Sequence, residues 1–276
     1  MSNPIYIYVL VVCSLLTGCD RIYDEEPLPE EVPVPIELAV SDSYLSTRAP
    51  VSAIDATNYT SVGIYATQEG STSGQFPWTT SPFLSNTVPS GINQGLLSFS
   101  PKLYYPTGGN QVKFYAYYPR TTNTSSSSSS YITPPGNGTA PIYNFSITDQ
   151  QDVMHAVSTP SSSTNSSSVP LQYNHKLSQI IITTSTLAGL LRTGQLLNVP
   201  SNGALNLETG VVTWSGTTNV TVNIPALGGT SNPVLVPANA TSYQLKITLL
   251  VLPTTYNLVP NNGVFSPGVT YSININ

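Results

Sequence analysis

Cysteine is almost missing from this chain: among 276 residues only Cys13 and Cys19 occur, both close to the N-terminus. Cys13 sits inside an apolar leader and Cys19 at its end, so the rest of the chain can form no disulfide, cysteine metal site or cysteine nucleophile. Its stability must rest on apolar burial. Histidine is as scarce. His155 and His175 stand far apart in sequence without a neighbouring carboxylate pair, so no metal-ligand or Ser-His-Asp spacing can be read, and no catalytic residue, metal or cofactor is expected. His175, between Asn174 and Lys176, reads as a hydrogen-bonded structural histidine. Asp149 and Asp152 read as solvated loop carboxylates and not as the acid pair of a glycosidase. No Gly-rich loop joins a strand to a helix, which leaves nucleotide binding unsupported.

Charge is also thin, at 8 % of residues, and it is unevenly placed. Residues 20–48 carry eight acids (Asp20, Asp24, Glu25, Glu26, Glu30, Glu31, Glu37 and Asp42) against Arg21 and Arg48, a net charge of -6, whereas residues 49–276 carry five acids against six bases. The body is therefore nearly neutral and the acidity belongs to an N-terminal tether. With no basic patch to neutralise phosphates, a nucleic-acid partner is excluded.

What the chain does hold is Ser, Thr, Asn, 19 Gly, 24 Pro and 17 Tyr. That palette suits strands and polar turns and is poor in the Glu, Lys, Arg and Ala on which surface helices rely. Ile5 to Leu16 is an apolar run too short to span a bilayer as a helix but suited to a signal-peptide core. It runs into Leu16-Thr17-Gly18-Cys19, which resembles a lipobox: cleavage is expected between Gly18 and Cys19, with acylation of the Cys19 thiol. Met1 to Pro4 lacks the basic residues usual in such a leader. Asp20 to Pro35 mixes acids with prolines and reads as an extended linker.

Beyond the linker the period becomes that of a half-buried strand: Ile36, Leu38 and Val40 alternate with Glu37 and Ala39. Further strands are expected at Ser61–Thr67, Lys102–Tyr105, Gln111–Tyr118, Leu177–Thr184, Gly210–Trp214, Asn219–Ile224, Tyr243–Leu252 and Val269–Ile275. Only Leu187–Leu197 reads as a short helix. Thr121–Ser130 and Ser161–Ser168 read as serine-rich loops, the second as a domain boundary. The alternation places Tyr115 and Tyr117 on one face of their strand and Phe114, Ala116 and Tyr118 on the other. One set is expected in the core, and the other at the surface, available for packing at an interface or stacking on sugars. Strands at this density without βα alternation point to an all-β fold of antiparallel sandwiches, and the length favours two domains.

Several segments, in order, carry a resemblance: Val62-Gly63-Ile64-Tyr65-Ala66; Lys102-Leu103-Tyr104-Tyr105-Pro106, followed by Val112-Lys113-Phe114-Tyr115-Ala116-Tyr117-Tyr118-Pro119; Asp152-Val153-Met154 with Ala156; and Val169-Pro170-Leu171-Gln172-Tyr173-Asn174-His175-Lys176-Leu177-Ser178. Together they resemble the fimbrillin superfamily, the lipoprotein-derived subunits of type V pili of Gram-negative anaerobes. The resemblance implies two transthyretin-like antiparallel β-sandwiches in tandem: a signal peptide at 1–18, a lipidated acidic linker with a pro-strand at 19–48, and sandwiches at 49–168 and 169–276. It implies maturation by an arginine-specific protease, and Arg48, before Ala49, stands where that cut would fall. Removing the pro-strand (Ile36, Leu38, Val40) would open an edge for a neighbour's strand. The partners so implied are other fimbrial subunits, a host or bacterial surface ligand, and the outer membrane through the lipid. The chain shows no added donor strand after Thr270-Tyr271, so a terminal position, tip or base, is expected. The competing class is a surface lipoprotein that binds glycan or protein without polymerising, the same fold serving a different site.

Overall fold

A computed structural model of the chain describes residues 32–42, 53–164, 167–184, 192–225, 228–249 and 252–275. The chain divides into Met1–Val32 and Pro33–Asn276, and all the described architecture belongs to the second unit. Among the described residues there are strands and three short 3-10 turns but no α-helix, and no helix long and apolar enough to cross a membrane. The all-β expectation holds.

In chain order the strands are β1 (Leu38–Asp42), β2 (Gly63–Gln68), β3 (Leu84–Thr87), β4 (Gly91–Asn93), β5 (Leu96–Ser98), β6 (Val112–Tyr118), β7 (Tyr131–Thr133), β8 (Ile142–Ser146) and β9 (Met154–Val157). They continue with β10 (Val169–His175), β11 (Leu177–Thr184), β12 (Arg192–Asn206), β13 (Val212–Val222), β14 (Gly229–Thr230), β15 (Val234–Pro237), β16 (Tyr243–Leu249), β17 (Leu252–Leu258) and β18 (Thr270–Ile275). One sheet has the order β3-β2-β6-β9-β10-β1-β5-β4; a second has β14-β11-β15, with β18 also on β11; a third has β17-β16-β12-β8-β7, with β13 also on β12.

The expectation of a helix at Leu187–Leu197 is corrected where the residues are described: Arg192 to Leu197 are the first part of β12, paired with β16. Gly194 lies in this ladder and a Cβ there would press on Ile224 and Val222, so the glycine permits close strand approach where a helix reading saw only a weak helix former. Lys102–Tyr105 is likewise no strand of its own; it contributes a single bridge, Pro35 with Tyr104. Ser161 and Ser162, at the start of the second serine-rich stretch, are buried. The Ser161 backbone exchanges hydrogen bonds with Val112 at 2.7 and 2.9 Å, and its hydroxyl accepts from Tyr105 Oη at 3.0 Å.

Two cores form, and β2 and β6 contribute a face to each. Ile64, Ala66, Phe114 and Ala116 enter a core that also holds Ile36, Leu38, Leu97, Val169, Leu171 and Tyr173. From the opposite faces Tyr65, Tyr115 and Tyr117 enter the other, with Tyr143, Leu196, Leu205 and Leu245. The expected exposed tyrosine face therefore does not exist on β6, because both faces of this central strand are covered. The tyrosines serve as packing. Ring pairs link Trp78 to Tyr115 (centroids 4.7 Å apart), Tyr117 to Tyr143 (5.0 Å), Tyr143 to Phe145 (5.6 Å) and Phe145 to Trp214 (5.4 Å), a geometry that adds to plain area burial. Burial pushes the Tyr117 phenol up to about 12, with hydrogen bonding to Thr121 pulling the other way.

Candidate functional site

The most informative local arrangement surrounds β1. Its alternation does what the sequence pattern requires: Ile36 and Leu38 are buried, Val40 and Ala39 are half-buried, and Glu37 points to solvent. Polar backbone groups on both sides are engaged, as buried strands demand. On one side Ile36 N–H donates to Leu103 O at 2.9 Å, Tyr105 N–H to Val34 O at 3.0 Å and Val40 N–H to Gly95 O at 2.8 Å; on the other Val169 N–H donates to Glu37 O at 2.8 Å. The ladder with β10 is parallel, from Leu38 opposite Val169 to Asp42 opposite Tyr173. The ladder with β5 is antiparallel and sets Leu38 opposite Leu97 and Ala39 opposite Leu96.

This makes β1 a connecting strand within the sheet and not an edge. β10 pairs with β9 only at Asn174 and His175, so Val169 to Gln172 have β1 as their strand partner. The hairpin of β4 and β5 joins the eight-stranded sheet through β1. Taking out Leu38–Asp42 would thus uncover two rows of backbone donors and acceptors and a groove whose walls include Leu97, Phe99, Val169 and Leu171. Gly18, Cys19, Arg48 and Ala49 lie outside the described residues.

Sequence reasoning missed the receiving strand. Val169, Leu171, Tyr173 and His175 are buried and Pro170, Gln172 and Asn174 are exposed; that alternation is present in the sequence, but it follows directly on the Ser161–Ser168 stretch that reads as loop and is interrupted by Pro170, and no strand is expected there. Pro170 is tolerated opposite Ala39 because Val169 N–H is turned to β1, at Glu37 O, so the Pro170 nitrogen faces the other side, where β9 pairs only with Asn174 and His175.

The scarce titratable groups are brought together elsewhere. Asp152 is buried, contrary to its reading as a solvated loop residue, and its Oδ2 lies 2.6 Å from His175 Nδ1, with both side chains 1 % exposed. The reason is topological: Lys176 N–H donates to Val153 O at 2.8 Å, which holds the turn ahead of β9 against the end of β10. Asp149 stays exposed. His155, on β9, is buried, and its Nε2 lies 2.9 Å from Leu207 O. Gly210, at φ +69°, comes so close that a Cβ there would meet His155 Nδ1 at 2.6 Å, so only glycine suits that turn. Burial holds His155 down to about 4 and also lowers the Lys176 ammonium. These are interior contacts that fix strands to turns. Among the described residues no group of His, Cys, Asp and Glu is arranged to hold a metal ion.

With this geometry in view, a family model described as fimbrillin-like matches residues 47–276. Among solved structures, the fold is similar to that of a candidate cell adhesion protein from Bacteroides uniformis ATCC 8492, at TM-score 0.56 and 19 % identity, over 88 % of this chain and 93 % of that one. It is similar to a candidate adhesin from Bacteroides ovatus, at TM-score 0.53 and 11 % identity, over 93 % and 89 % of the two chains. It is also similar to a fimbrial protein from Bacteroides vulgatus ATCC 8482, at TM-score 0.51 and 15 % identity, over 87 % and 95 %. At these identities the likeness is one of fold. No curated protein sequence matches the chain.

Proposed function

The chain belongs to the fimbrillin-like family, and from that membership we propose that it is a surface lipoprotein which becomes a pilus subunit when β1 is cut away and a neighbour's strand takes its place. The observation that carries this reading is the position of β1: it is paired on both sides, by β10 and by β5, yet it lies ahead of the matched residues 47–276. A strand so placed is needed by the fold and separable from the rest of the chain. Cleavage between Gly18 and Cys19 and acylation of Cys19 would hold the precursor at the outer membrane. Cleavage between Arg48 and Ala49 would release the lipid together with β1, and β-strand addition from another fimbrial subunit would refill the groove. The last described strand, β18, is in use within the fold, paired with β11 from Thr270 to Ile275. On this reading the subunit accepts a strand in the groove of β1 and sits at the tip or base, with a role in adhesion.

The test is N-terminal sequencing and intact mass of the protein taken from cells, followed by cleavage at Arg48 in vitro. A lipid on Cys19 that disappears in Cys19→Ala, a second pool beginning at Ala49, and loss of stability on removal of the released piece are expected. A peptide carrying residues 34–42 should restore that stability by binding the native form alone. If removal changes neither stability nor oligomer size and no strand binds, the segment is a tether and the non-polymerising lipoprotein is the better reading.

A further inference from the structure

A second site lies away from β1. A surface cleft of about 290 Å³ is lined by Gln75, Phe76, Trp78, Lys113, Tyr115 and Glu208, among others. Each wall is held by its own local bonds. The 69–78 loop is closed by Glu69, whose carboxylate accepts from Gly74 N–H at 2.6 Å, and by Gly70 N–H donating to Gln75 O at 2.8 Å. Gly138 N–H donates to Trp78 O at 2.9 Å. Glu208 stands on a turn whose Glu208 and Thr209 N–H groups donate to Asn206 Oδ1 at 2.9 and 3.1 Å, with His155 against the neighbouring Leu207 carbonyl.

The chemistry of the lining is mixed in a particular way. Lys113 Nζ lies 5.5 Å from the centroid of the Tyr115 ring, and Glu208 is exposed. Lys113 and Glu208 make no close contact with each other, the Asp152–His175 contact being the one pair of acid and base within 4 Å among the described residues. Trp78 lines the cleft, and its indole N–H is buried without an acceptor. A cation that can donate, a carboxylate that can accept, an amide that can do both and the apolar sides of Phe76 and Trp78 meet in a space close to the lower end of small-ligand pockets, which begin at about 300 Å³. Balanced charge disfavours a phosphate or another strongly anionic group. A compact ring with hydroxyls around its rim and an apolar face matches all of these groups at once.

We infer that this cleft binds a neutral pyranose, the end of a surface glycan, with Glu208 accepting from its hydroxyls, Lys113 donating to them and the ring set against Phe76. The inference uses no residue of β1, so its failure and the failure of strand exchange are separable. The test is saturation-transfer NMR and titration of the full chain with the methyl glycosides of galactose, glucose, mannose, fucose and N-acetylglucosamine, with glucuronate alongside. At least one neutral glycoside should saturate. Glu208→Gln and Lys113→Ala should each weaken it by about tenfold, as loss of a hydrogen bond to a charged group predicts, with an unchanged thermal midpoint, while Tyr104→Ala, at an exposed ring outside the lining, should bind as wild type. Saturation by none of the neutral glycosides, binding of glucuronate alone, or undiminished binding in both cleft variants would overturn the assignment.

Discussion

The core that contains Leu38 and the core that contains Leu245 are built on the two faces of the same central strands, but they are closed by different parts of the chain. The first takes Ile36 and Leu38 from a segment ahead of Arg48. Among the described residues the second takes none earlier than Tyr65 and is filled by Tyr117, Tyr143, Leu196, Leu245 and Phe265. One core is therefore complete only while an N-terminal strand stays in place, and the other is complete without it. A shared sheet can thus carry a replaceable half and a permanent half, provided that the strands common to both, β2 and β6, are held from the permanent side.

The comparison breaks most visibly if β1 is removed. Ile36 and Leu38 each stand to lose about 1.5 to 3 kcal/mol of burial, and Val169 to Gln172 lose their strand partner. In the intact chain Leu38→Ala and Leu245→Ala, both at fully buried residues, should each cost about 2 to 5 kcal/mol. After cleavage at Arg48 and removal of the piece, hydrogen exchange should show β10 and β5 amides losing protection while β16 amides keep theirs. Equal loss in β16 would mean a single cooperative unit and no permanent half.

The joint between the halves comes next. At Lys176 the chain passes from β10, in the sheet of the first core, to β11, whose Ile180 and Ile182 belong to the second, and the pair of Asp152 with His175 sits beside this crossing. Asp152→Ala removes the carboxylate that lies 2.6 Å from His175 Nδ1 and should cost about 1 to 3 kcal/mol, the usual cost of losing a buried polar contact. Asp149→Ala, at an exposed residue, should stay within about 0.5 kcal/mol. Denaturant midpoints of the two variants check this, and equal small effects would remove Asp152 from the joint.

How much of this was legible in the sequence depended on the period of each element. β1, β6, β11, β16 and β18 announce themselves because at least one face alternates cleanly, and the all-β class followed from them. β12 did not: the left-handed Asn198 (φ 53°) marks a bulge, between Leu196 and Val199 in the ladder with β13, and a bulged strand loses the period on which a reading depends. β10 was masked by Pro170, and β6 was half-read, because a single strand cannot show that both of its faces will be covered. The candidate groove was legible on the side of β1 and not on the side that receives it. Pairing at a separation of more than a hundred residues, Leu38 with Val169, leaves no local trace. The same holds for Asp152 with His175: burial of a carboxylate is decided by a partner that folding brings, and nothing next to Asp152 in the chain declares it.

The smallest expected effect concerns His155, which ties β9, of the first sheet, to the turn at Leu207 that follows β12. Burial, with a smaller push from the Lys176 ammonium, moves this imidazole from its ordinary 6.5 down to about 4, against the opposite pull of the Leu207 carbonyl. The unfolded chain then takes up the proton near pH 6.5 and the folded chain only near pH 4. Between these values the unfolded state binds more protons, so stability rises with pH across the window and falls on acidification. The full shift corresponds to about 3 kcal/mol, lost progressively from pH 6.5 to pH 4. His155→Gln keeps a donor for the Leu207 carbonyl but cannot titrate, so its unfolding free energy should fall less steeply over the same window, by about one proton in slope. Carboxylates that titrate in the same range act on both proteins alike and drop out of the difference. Urea unfolding of wild type and variant at several pH values between 4 and 7 measures it; parallel curves would mean that His155 is a neutral spacer at this joint, and that acid reaches the two cores through other groups.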